Sequence, residues 1–333
     1  MSEQTIIEQV GYHYNIKVTK IEKIDRGKAN IYKIFSDDKI YILKQFQAKY
    51  SEKQLQKELH IINHLNQYNL NTPKYFQCLN QQYYFIYNNR LVALQEYISG
   101  ITKEKNSGDL AQCLESARYL GLIVQALETY PYHDFYFCDL KKFLFKNNLK
   151  EQYSDLLQKA LQDKINGPLI IKDLNEKLNI FEEILHKYDF ENIEKVTVKK
   201  THGDYSVMQF IYEHNEIKAI LDFEGAAALP VVWEIIRSYS YIDEKCQNGV
   251  LDLQNLILYI KEYMKYSPLN KYDLQYMPYI YLLQLLNSPF GYKEYLYSGD
   301  LKLLEFGQKR TELCRYLANN SEMISQKLLE IID

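Results

Sequence analysis

The chain has 333 residues, with 40 lysines and arginines against 43 aspartates and glutamates, so its formal net charge is −3. This length exceeds what one hydrophobic core usually supports, and we therefore expect two lobes or domains. The near balance of charge provides no broad positive field, which argues against nucleic acid or an anionic membrane as the main partner.

Cysteine usage and hydropathy indicate a soluble, cytoplasmic protein. The five cysteines are scattered and form no CxxC pair, so the sequence predicts neither a zinc site nor a disulfide framework. The amino terminus lacks the basic start and apolar run of a secretory signal. The longest apolar run, residues 226–233, includes Pro230 and falls far short of the ~20 residues that a membrane-spanning helix needs.

The first hundred residues predict a small antiparallel sheet with one helix. Leu55, Leu59, Ile62 and Leu65 recur at helical spacing, and Ser51 is a candidate cap for that helix. Alternating segments bounded by turn residues predict the strands: Ile16–Ile24, Asn30–Phe35, Lys39–Phe46, Tyr75–Leu79, Tyr83–Tyr87 and Leu91–Ile98. We expect residues 1–97 to form the first lobe.

Residues 98–333 are expected to form a second, mainly helical lobe. Apolar residues recur every three to four positions in five segments: 110–130, 144–188, 251–266, 272–286 and 301–332. Only Val196–Phe223 interrupts this pattern with predicted strands. The order of elements places the chain in the α+β class.

A β-hairpin is predicted where Phe210–Glu213 and Ile217–Phe223 flank three turn residues, His-Asn-Glu. A two-residue turn at either 214–215 or 215–216 fits the sequence. The two turns pair the strands in different registers, and both remain open on the sequence alone.

The open end of this hairpin is expected to bring an amide oxygen and a carboxylate together. The first register places Gln209 opposite Ile220, and the second places it opposite Asp222. In both registers Gln209 and Asp222 share a face, because side chains alternate with period two. Asp204, on the loop that enters this end, is expected nearby. Two hard oxygen donors beside a separate proton acceptor suit a magnesium-bound phosphate site.

The segment HGDYSVMQF followed by ILDFE resembles the catalytic loop and metal-binding strand of the aminoglycoside phosphotransferase and choline kinase superfamily. This resemblance implies a two-lobed, protein-kinase-like fold, with a small antiparallel-sheet N-lobe and a larger, mainly helical C-lobe. It also implies roles for four residues. Asp204 would deprotonate the acceptor hydroxyl, and His202 would brace the loop. Asp222 would be the principal magnesium ligand, and Gln209 would take the place of the metal-binding Asn.

Two residue pairs outside the loop fit the same resemblance. Lys44 in YILKQF is followed by Glu58 in the predicted helix, in the order of the lysine–glutamate pair that positions the α and β phosphates of ATP. Glu234 and Arg237, in the stretch after ILDFE, are three apart on one helical face. We expect them to pair and to support the catalytic core.

The segment LQEYISG, residues 94–100, is similar to the hinge between the lobes of that family. The resemblance implies that backbone groups of Glu96, Tyr97 and Ile98 bond the adenine. Ile211 would supply an apolar floor beneath the adenine ring.

Two departures from the family pattern affect the interpretation. Gln209 has the ligating oxygen of Asn on a stem one methylene longer, so magnesium would be held only if the loop retreats or the metal site weakens. The DRGKAN turn has a single glycine, Gly27, which favours a small-molecule kinase over a protein kinase.

The resemblance implies an ATP- and Mg²⁺-dependent phosphotransferase that moves the γ-phosphoryl group to a hydroxyl of an amino sugar, amino alcohol or sugar. Acidic side chains in the helical lobe would suit a cationic acceptor. The alternative is a non-catalytic, kinase-like protein that binds nucleotide or assists assembly. Gln209 favours this alternative, whereas Lys44, Glu58, Asp204 and Asp222 together favour the enzyme.

Overall fold

A computed structural model describes residues 1–25, 29–145 and 148–332 of the chain. These residues form two compact units, each assembled from distant stretches of sequence. The first unit contains Met1–Thr102, Thr129–Phe135 and Gln209–Ala226, and the second contains Lys103–Glu128, Tyr136–Met208 and Ala227–Asp333. The functional division into a nucleotide-binding lobe (1–97) and a helical lobe (98–333) stays a prediction. Gly27 lies outside the described residues.

The first unit is built on a five-stranded antiparallel sheet. Its strands are β1 Val18–Ile24, β2 Asn30–Ser36, β3 Ile40–Gln45, β4 Phe85–Tyr87 and β5 Arg90–Glu96. They lie in the order β1-β2-β3-β5-β4, so β3 is the central strand. Leu43 on β3 pairs with Leu94 on β5, and both side chains are fully buried. The antiparallel sheet predicted for this part of the chain is confirmed.

A helix that the sequence analysis did not predict, α1 Glu3–Tyr14, packs against this sheet. The hydroxyl of Ser2 caps it by accepting a hydrogen bond from the backbone N–H of Thr5 at 3.2 Å. Three apolar side chains, one per turn, enter the core of the sheet: Ile6, Val10 and Tyr14. Because this stripe is one residue wide, the periodic signal in the sequence is weak.

The helix predicted after β3 is confirmed as α2 Glu52–Gln67. Ser51 and Gln54 form a capping box, in which each side chain bonds to the backbone N–H of the other residue. The four periodic apolar residues of α2 are all buried: Leu55, Leu59, Ile62 and Leu65.

The strand predicted at Tyr75–Leu79 is wrong. Only Tyr75 forms an isolated bridge, to Gln95 on β5. The backbone N–H of Leu79 instead donates to the carbonyl of His13 at 2.7 Å, at the end of α1. Backbone partners that change within a few residues cannot form a continuous ladder.

The predicted hairpin is confirmed as β7 Phe210–Glu213 and β8 Glu216–Ile220, both within the first unit. Its two-residue turn lies at His214 and Asn215, the first of the two turns that fit the sequence. Both turn residues have positive φ, 50° and 68°, as a type I′ turn requires.

The second unit is mainly helical, which confirms the α+β class. Its helices are α3 Leu110–Glu128, α4 Leu140–Leu144, α5 Leu149–Ala160, α6 Gly167–Lys187, α7 Val231–Ile242, α8 Leu253–Met264, α9 Lys271–Leu286, α10 Tyr292–Ser298 and α11 Leu301–Leu329. Two short strands, β6 Val198–Thr201 and β9 Ala227–Pro230, pair antiparallel. Buried along most of its length, α9 packs against α7 and α11. Over the described ranges, none of the helices combines the length and apolarity needed to cross a bilayer.

Candidate active site

A buried lysine in the first unit lies between two carboxylates. Lys44 on β3 is 8% exposed, and its Nζ atom lies 3.4 Å from Oδ1 of Asp222 and 4.0 Å from Oε1 of Glu58. Glu58 on α2 is 1% exposed. The structure therefore brings Lys44 and Glu58 together and adds Asp222 to them.

Two tyrosines hold the buried carboxylate of Glu58. Tyr50 donates its hydroxyl to Oε2 at 2.7 Å, and Tyr75 donates to Oε1 at 3.1 Å. These bonds satisfy both oxygens of a charge that burial would otherwise penalise. Sequence analysis missed both tyrosines, because nothing in their spacing connects them with a helix residue.

Charge and burial act in opposite directions on Lys44. Burial lowers the pKa of its ammonium, but Glu58, Asp222 and Glu224 outweigh burial, and the pKa is raised above its ordinary value. Lys44 is therefore a fixed positive charge at neutral pH, as binding of a phosphate group requires.

Asp222 lies just beyond β8 in a left-handed conformation, with φ 65° and ψ 68°. This conformation is uncommon for residues other than glycine, although aspartate adopts it more readily than most. A short 3₁₀ turn, Phe223–Gly225, follows directly. The Asp222 side chain remains 40% exposed beside the buried Lys44. The chain thus turns sharply at the point where it presents this carboxylate.

Gln209 does not pair as either predicted register requires. A bulge between Ile211 and Tyr212 shifts the register, and the carbonyl of Gln209 accepts a hydrogen bond from the N–H of Leu221 at 2.8 Å. Both predicted registers are therefore wrong, because the extra residue, Lys218 in β8, shifts that strand by one position against β7. The shared face of Gln209 and Asp222 stays a prediction. The backbone of Gln209 nevertheless lies beside the residue that precedes Asp222.

The predicted hinge segment follows β5. Tyr97, directly after the strand, is partly exposed, and Ile98 is buried. Two residues beyond, Gly100 has φ 146°, and a Cβ atom there would lie 2.4 Å from Cγ2 of Ile211. Ile101 then exchanges two backbone hydrogen bonds with Tyr212 on β7, at 2.8 and 2.9 Å. These contacts place Ile211 next to the hinge segment.

The residues predicted to form the catalytic loop belong to the second unit and follow β6. His202 is fully buried, and its Nδ1 accepts a hydrogen bond from the backbone N–H of Asp204 at 3.3 Å. The guanidinium of Arg237 on α7 donates to Oδ1 of Asp204 and, at 3.1 Å, to the carbonyl of Tyr205. The Asp204 side chain remains 52% exposed. The expected approach of Asp204 to the hairpin stays a prediction.

The predicted direct pair between Glu234 and Arg237 is not present in the described structure. Buried Glu234 instead accepts hydrogen bonds from the hydroxyl of Thr201 and from the backbone N–H of Tyr205, the latter at 3.0 Å. Both side chains therefore bind the loop rather than each other, because α7 runs directly beside it. This arrangement holds the side chain of Thr201 and the backbone of Tyr205, which lie on either side of Asp204 in the chain.

The oxygen donors of the first unit fit a magnesium–nucleotide complex better than a protein-only metal site. Among the described residues, no group of three or more His, Cys, Asp or Glu side chains could hold a metal ion. Magnesium is commonly held by one or two protein oxygens together with substrate phosphates and water. The partly exposed carboxylate of Asp222 and the amide of Gln209 are donors of this kind, and Lys44 would supply positive charge for the phosphates.

Solved structures with the same fold are small-molecule kinases. An amicoumacin kinase in complex with AMP-PNP, Ca²⁺ and Ami is 17% identical, with a TM-score of 0.63, 98% of this chain covered and 94% of that chain. A spectinomycin phosphotransferase in complex with ADP and spectinomycin is 14% identical, with a TM-score of 0.64 and 98% of each chain covered. A microcompartment-associated aminopropanol kinase is 14% identical, with a TM-score of 0.66, 97% of this chain covered and all of that chain.

These similarities confirm the predicted protein-kinase-like fold. No curated protein sequence matches the chain. Residues 20–255 match the model of the phosphotransferase enzyme family, APH. The match spans well over half of the chain and includes Lys44, Asp204 and Asp222. The chain belongs to the APH phosphotransferase enzyme family.

Proposed function

We propose that this protein is an ATP-dependent kinase that phosphorylates a hydroxyl group of a small molecule. The observation that carries this proposal is the buried ammonium of Lys44 beside Glu58 and Asp222. Glu58 is fixed by two tyrosines, whereas Asp222 is partly exposed. This arrangement supports a phosphate-binding lysine next to a carboxylate that is available to a metal ion.

The nucleotide would bind along the first unit. Lys44 would bond the α and β phosphates, and backbone groups from Glu96 to Ile98 would bond the adenine. The position of this segment at the end of β5 supports this role. Ile211, which lies beside the hinge segment, would contact the face of the adenine ring.

Asp222 and Gln209 would hold Mg²⁺, with phosphate oxygens completing its shell. The ion supplies neutralisation of phosphate charge when it is bound. The amide stem of Gln209 is one methylene longer than that of Asn.

In the transfer step, the acceptor oxygen bonds to the γ-phosphorus as the bond to the β–γ bridging oxygen breaks, and ADP leaves with that electron pair. Asp204 takes the proton of the acceptor hydroxyl. Arg237 orients the Asp204 carboxylate, and His202 and Glu234 fix the loop backbone. Most of the rate enhancement would come from alignment and charge neutralisation.

Gln209 favours a second candidate function, that of a kinase-like protein that binds nucleotide without phosphorylating an acceptor. The two functions share the nucleotide site and differ in the need for Asp204. Asp204→Asn would abolish acceptor phosphorylation by the enzyme and leave a binding protein unaffected.

Calorimetric titration with AMP-PNP and Mg²⁺ tests the observation on which the proposal rests. Lys44→Met should weaken binding about tenfold or more, because a charge-assisted bond to phosphate is lost. Lys39→Met removes an exposed lysine from the turn before the same strand and should bind the nucleotide like wild type. Equal affinity for all three proteins would contradict the proposal.

A further inference from the structure

Three basic side chains of the second unit surround one buried tyrosine. Tyr241 on α7 is 7% exposed, and its hydroxyl oxygen accepts a hydrogen bond from Nη1 of Arg310 on α11 at 3.3 Å. The Nζ atom of Lys105 lies 4.2 Å from the centroid of the Tyr241 ring, and the guanidinium carbon of Arg237 lies 5.1 Å from it. We call Lys105, Arg237, Arg310 and Tyr241 the basic cluster.

Carboxylates in the described structure do not balance the charge of the basic cluster. Arg237 binds Asp204, but within residues 1–25, 29–145 and 148–332 neither Lys105 nor Arg310 forms an ion pair. Arg310 is 8% exposed, and its Nε and Nη2 atoms are buried without a hydrogen-bond partner in the same ranges. Burial of guanidinium N–H groups without acceptors costs free energy, and an anion bound nearby would reduce that cost.

The ionisation of the cluster shows the same excess of positive charge. Burial alone would raise the pKa of Tyr241, but Arg310, Lys105 and Arg237 outweigh burial and lower it to about 8. Burial lowers the pKa of Lys105, and the neighbouring Tyr241 partly opposes this lowering. The positive charges of Arg237 and Arg310 lower the pKa of Lys105 further. An anion beside Lys105 would reverse the shift of Lys105, whereas a cation would increase it.

Lys105 is the member of the cluster that a ligand can reach. It is only partly buried, and its Nζ atom lies 3.6 Å from the ring centroid of Phe306, which is also partly exposed. Arg310, by contrast, is buried and bonds the hydroxyl of Tyr241. The carboxylate of Asp204, which Arg237 binds, is close enough to Lys105 to oppose the lowering of its pKa. A small molecule with one end at Asp204 would therefore have its other end in the field of the basic cluster.

We propose that the acceptor carries an anionic group, a carboxylate or a phosphate monoester, which binds Lys105 in the field of Arg310 while the acceptor hydroxyl meets Asp204. This inference rests on the proposed function, because it names the chemical class of the same acceptor. A cationic acceptor would place a like charge beside Lys105 and Arg310. The basic cluster therefore opposes the cationic acceptor that the acidic side chains of the helical lobe suggested.

Matched sets of hydroxy compounds test this class directly. Each set of three to six carbons contains a neutral alcohol, its carboxylate, its phosphate monoester and its amine; glycerol, glycerate, glycerol 3-phosphate and 3-aminopropane-1,2-diol form the smallest set. Acceptor-dependent ADP release should be fastest with anionic members, and comparing the carboxylate with the phosphate identifies the group. Faster turnover of neutral or amine members, or no anionic member bound or phosphorylated, would overturn the inference. Phosphorylation of a neutral or amine member that is lost in Asp204→Asn would show that the proposed function survives that outcome.

Variants of Lys105 test the contact itself. Lys105→Met should raise the KM for the anionic acceptor about 10- to 100-fold, because a charged hydrogen bond is lost, and leave the KM for ATP unchanged. Lys105→Arg should retain most of the affinity. Lys309→Met removes an exposed charge next to Arg310 on the same helix and serves as the control. Calorimetric binding of the anionic acceptor in the presence of ADP gives a readout without turnover. An effect of Lys105→Met no larger than that of Lys309→Met would contradict the contact.

Discussion

The Nζ atom of Lys44 lies 3.4 Å from Oδ1 of Asp222, although 178 positions separate the two residues in the sequence. The central strand β3 supplies the lysine, and the turn after β8 supplies the carboxylate. Glu58, the second carboxylate near Lys44, is buried and accepts hydrogen bonds from Tyr50 and Tyr75. The first unit therefore holds a permanent positive charge with one fixed and one partly exposed counter-ion.

Removal of that charge should cost stability without abolishing the fold. Lys44→Met leaves Glu58 buried without its cation, and we expect a loss of about 2–3 kcal/mol in the free energy of unfolding. The hydrogen bonds from the two tyrosines should limit the loss. Urea denaturation measures it, with Lys39→Met as the exposed control, expected within about 0.5 kcal/mol of wild type. A Lys44→Met chain that does not fold would identify Lys44 as mainly structural.

Gln209 should tolerate shortening better than removal of its oxygen. Gln209→Asn restores the residue that the family uses, and we expect its turnover with Mg²⁺ to equal or exceed that of wild type. Gln209→Leu keeps the size but lacks the donor oxygen, so the Mg²⁺ concentration needed for half-maximal turnover should rise about tenfold. Identical Mg²⁺ titrations for all three proteins would place the amide outside the metal shell.

The hairpin shows what local sequence could predict. The turn at His214 and Asn215 was among two that the pattern allowed, and the strands on either side were placed within a few residues. The bulge at Lys218 in β8 was not predictable, because no residue preference marks one extra position in a short strand. The register at Gln209, and with it the argument for a shared face, depended on that one residue.

Contacts between residues that are distant in the sequence could not be predicted from local patterns. Glu234 and Arg237 were expected to bind each other, since residues three apart on a helix are neighbours. The structure places the loop of Asp204 against this face of α7, and the loop offers backbone groups that outcompete the local pair. Periodicity likewise missed α1, whose apolar stripe is narrow. The order of Lys44 and Glu58 was informative because their elements, β3 and α2, follow each other directly in the sequence.

The two anchors of the catalytic loop should have separable effects. Glu234→Gln weakens buried bonds to Thr201 and Tyr205, so we expect a loss of about 1–3 kcal/mol in stability together with slower turnover. Arg237→Met removes the guanidinium that orients Asp204, and it should lower kcat at least tenfold with a smaller effect on the KM for ATP. Denaturation curves and steady-state kinetics measured on both variants distinguish the roles. An unchanged kcat in Arg237→Met would show that Asp204 needs no anchor.

Lys177 on α6 should make stability depend on pH. It is 1% exposed, its Nζ atom donates to the carbonyl of Ser288 at 3.0 Å, and burial lowers its pKa to about 8. The unfolded chain, with a lysine pKa of ~10.4, therefore binds more protons between these two pKa values, and this contribution to stability rises with pH across that window. Below pH 8 the full cost of charging Lys177 remains in the folded state.

Comparison with a Lys177→Met variant separates this effect from the titration of other groups, because those groups are common to both proteins. The free energy of unfolding of wild type minus that of the variant should increase by up to about 3 kcal/mol between pH 7 and pH 10. Lys172→Met, exposed on the same helix, should show no such trend. A constant difference for Lys177→Met would mean that Lys177 stays charged when folded.

The most direct test of the central claim follows the γ-phosphate itself. Wild-type protein is incubated with Mg²⁺ and ATP labelled at the γ-phosphorus, together with the matched hydroxy compounds, and the label is traced by chromatography. We predict that the label appears on an acceptor with one ADP formed for each transfer, and that Lys44→Met and Asp204→Asn both lose this activity while Lys39→Met keeps it. Label that stays on ATP in the wild type, or transfer that continues in Asp204→Asn at the wild-type rate, would contradict the assignment as a kinase acting through these residues.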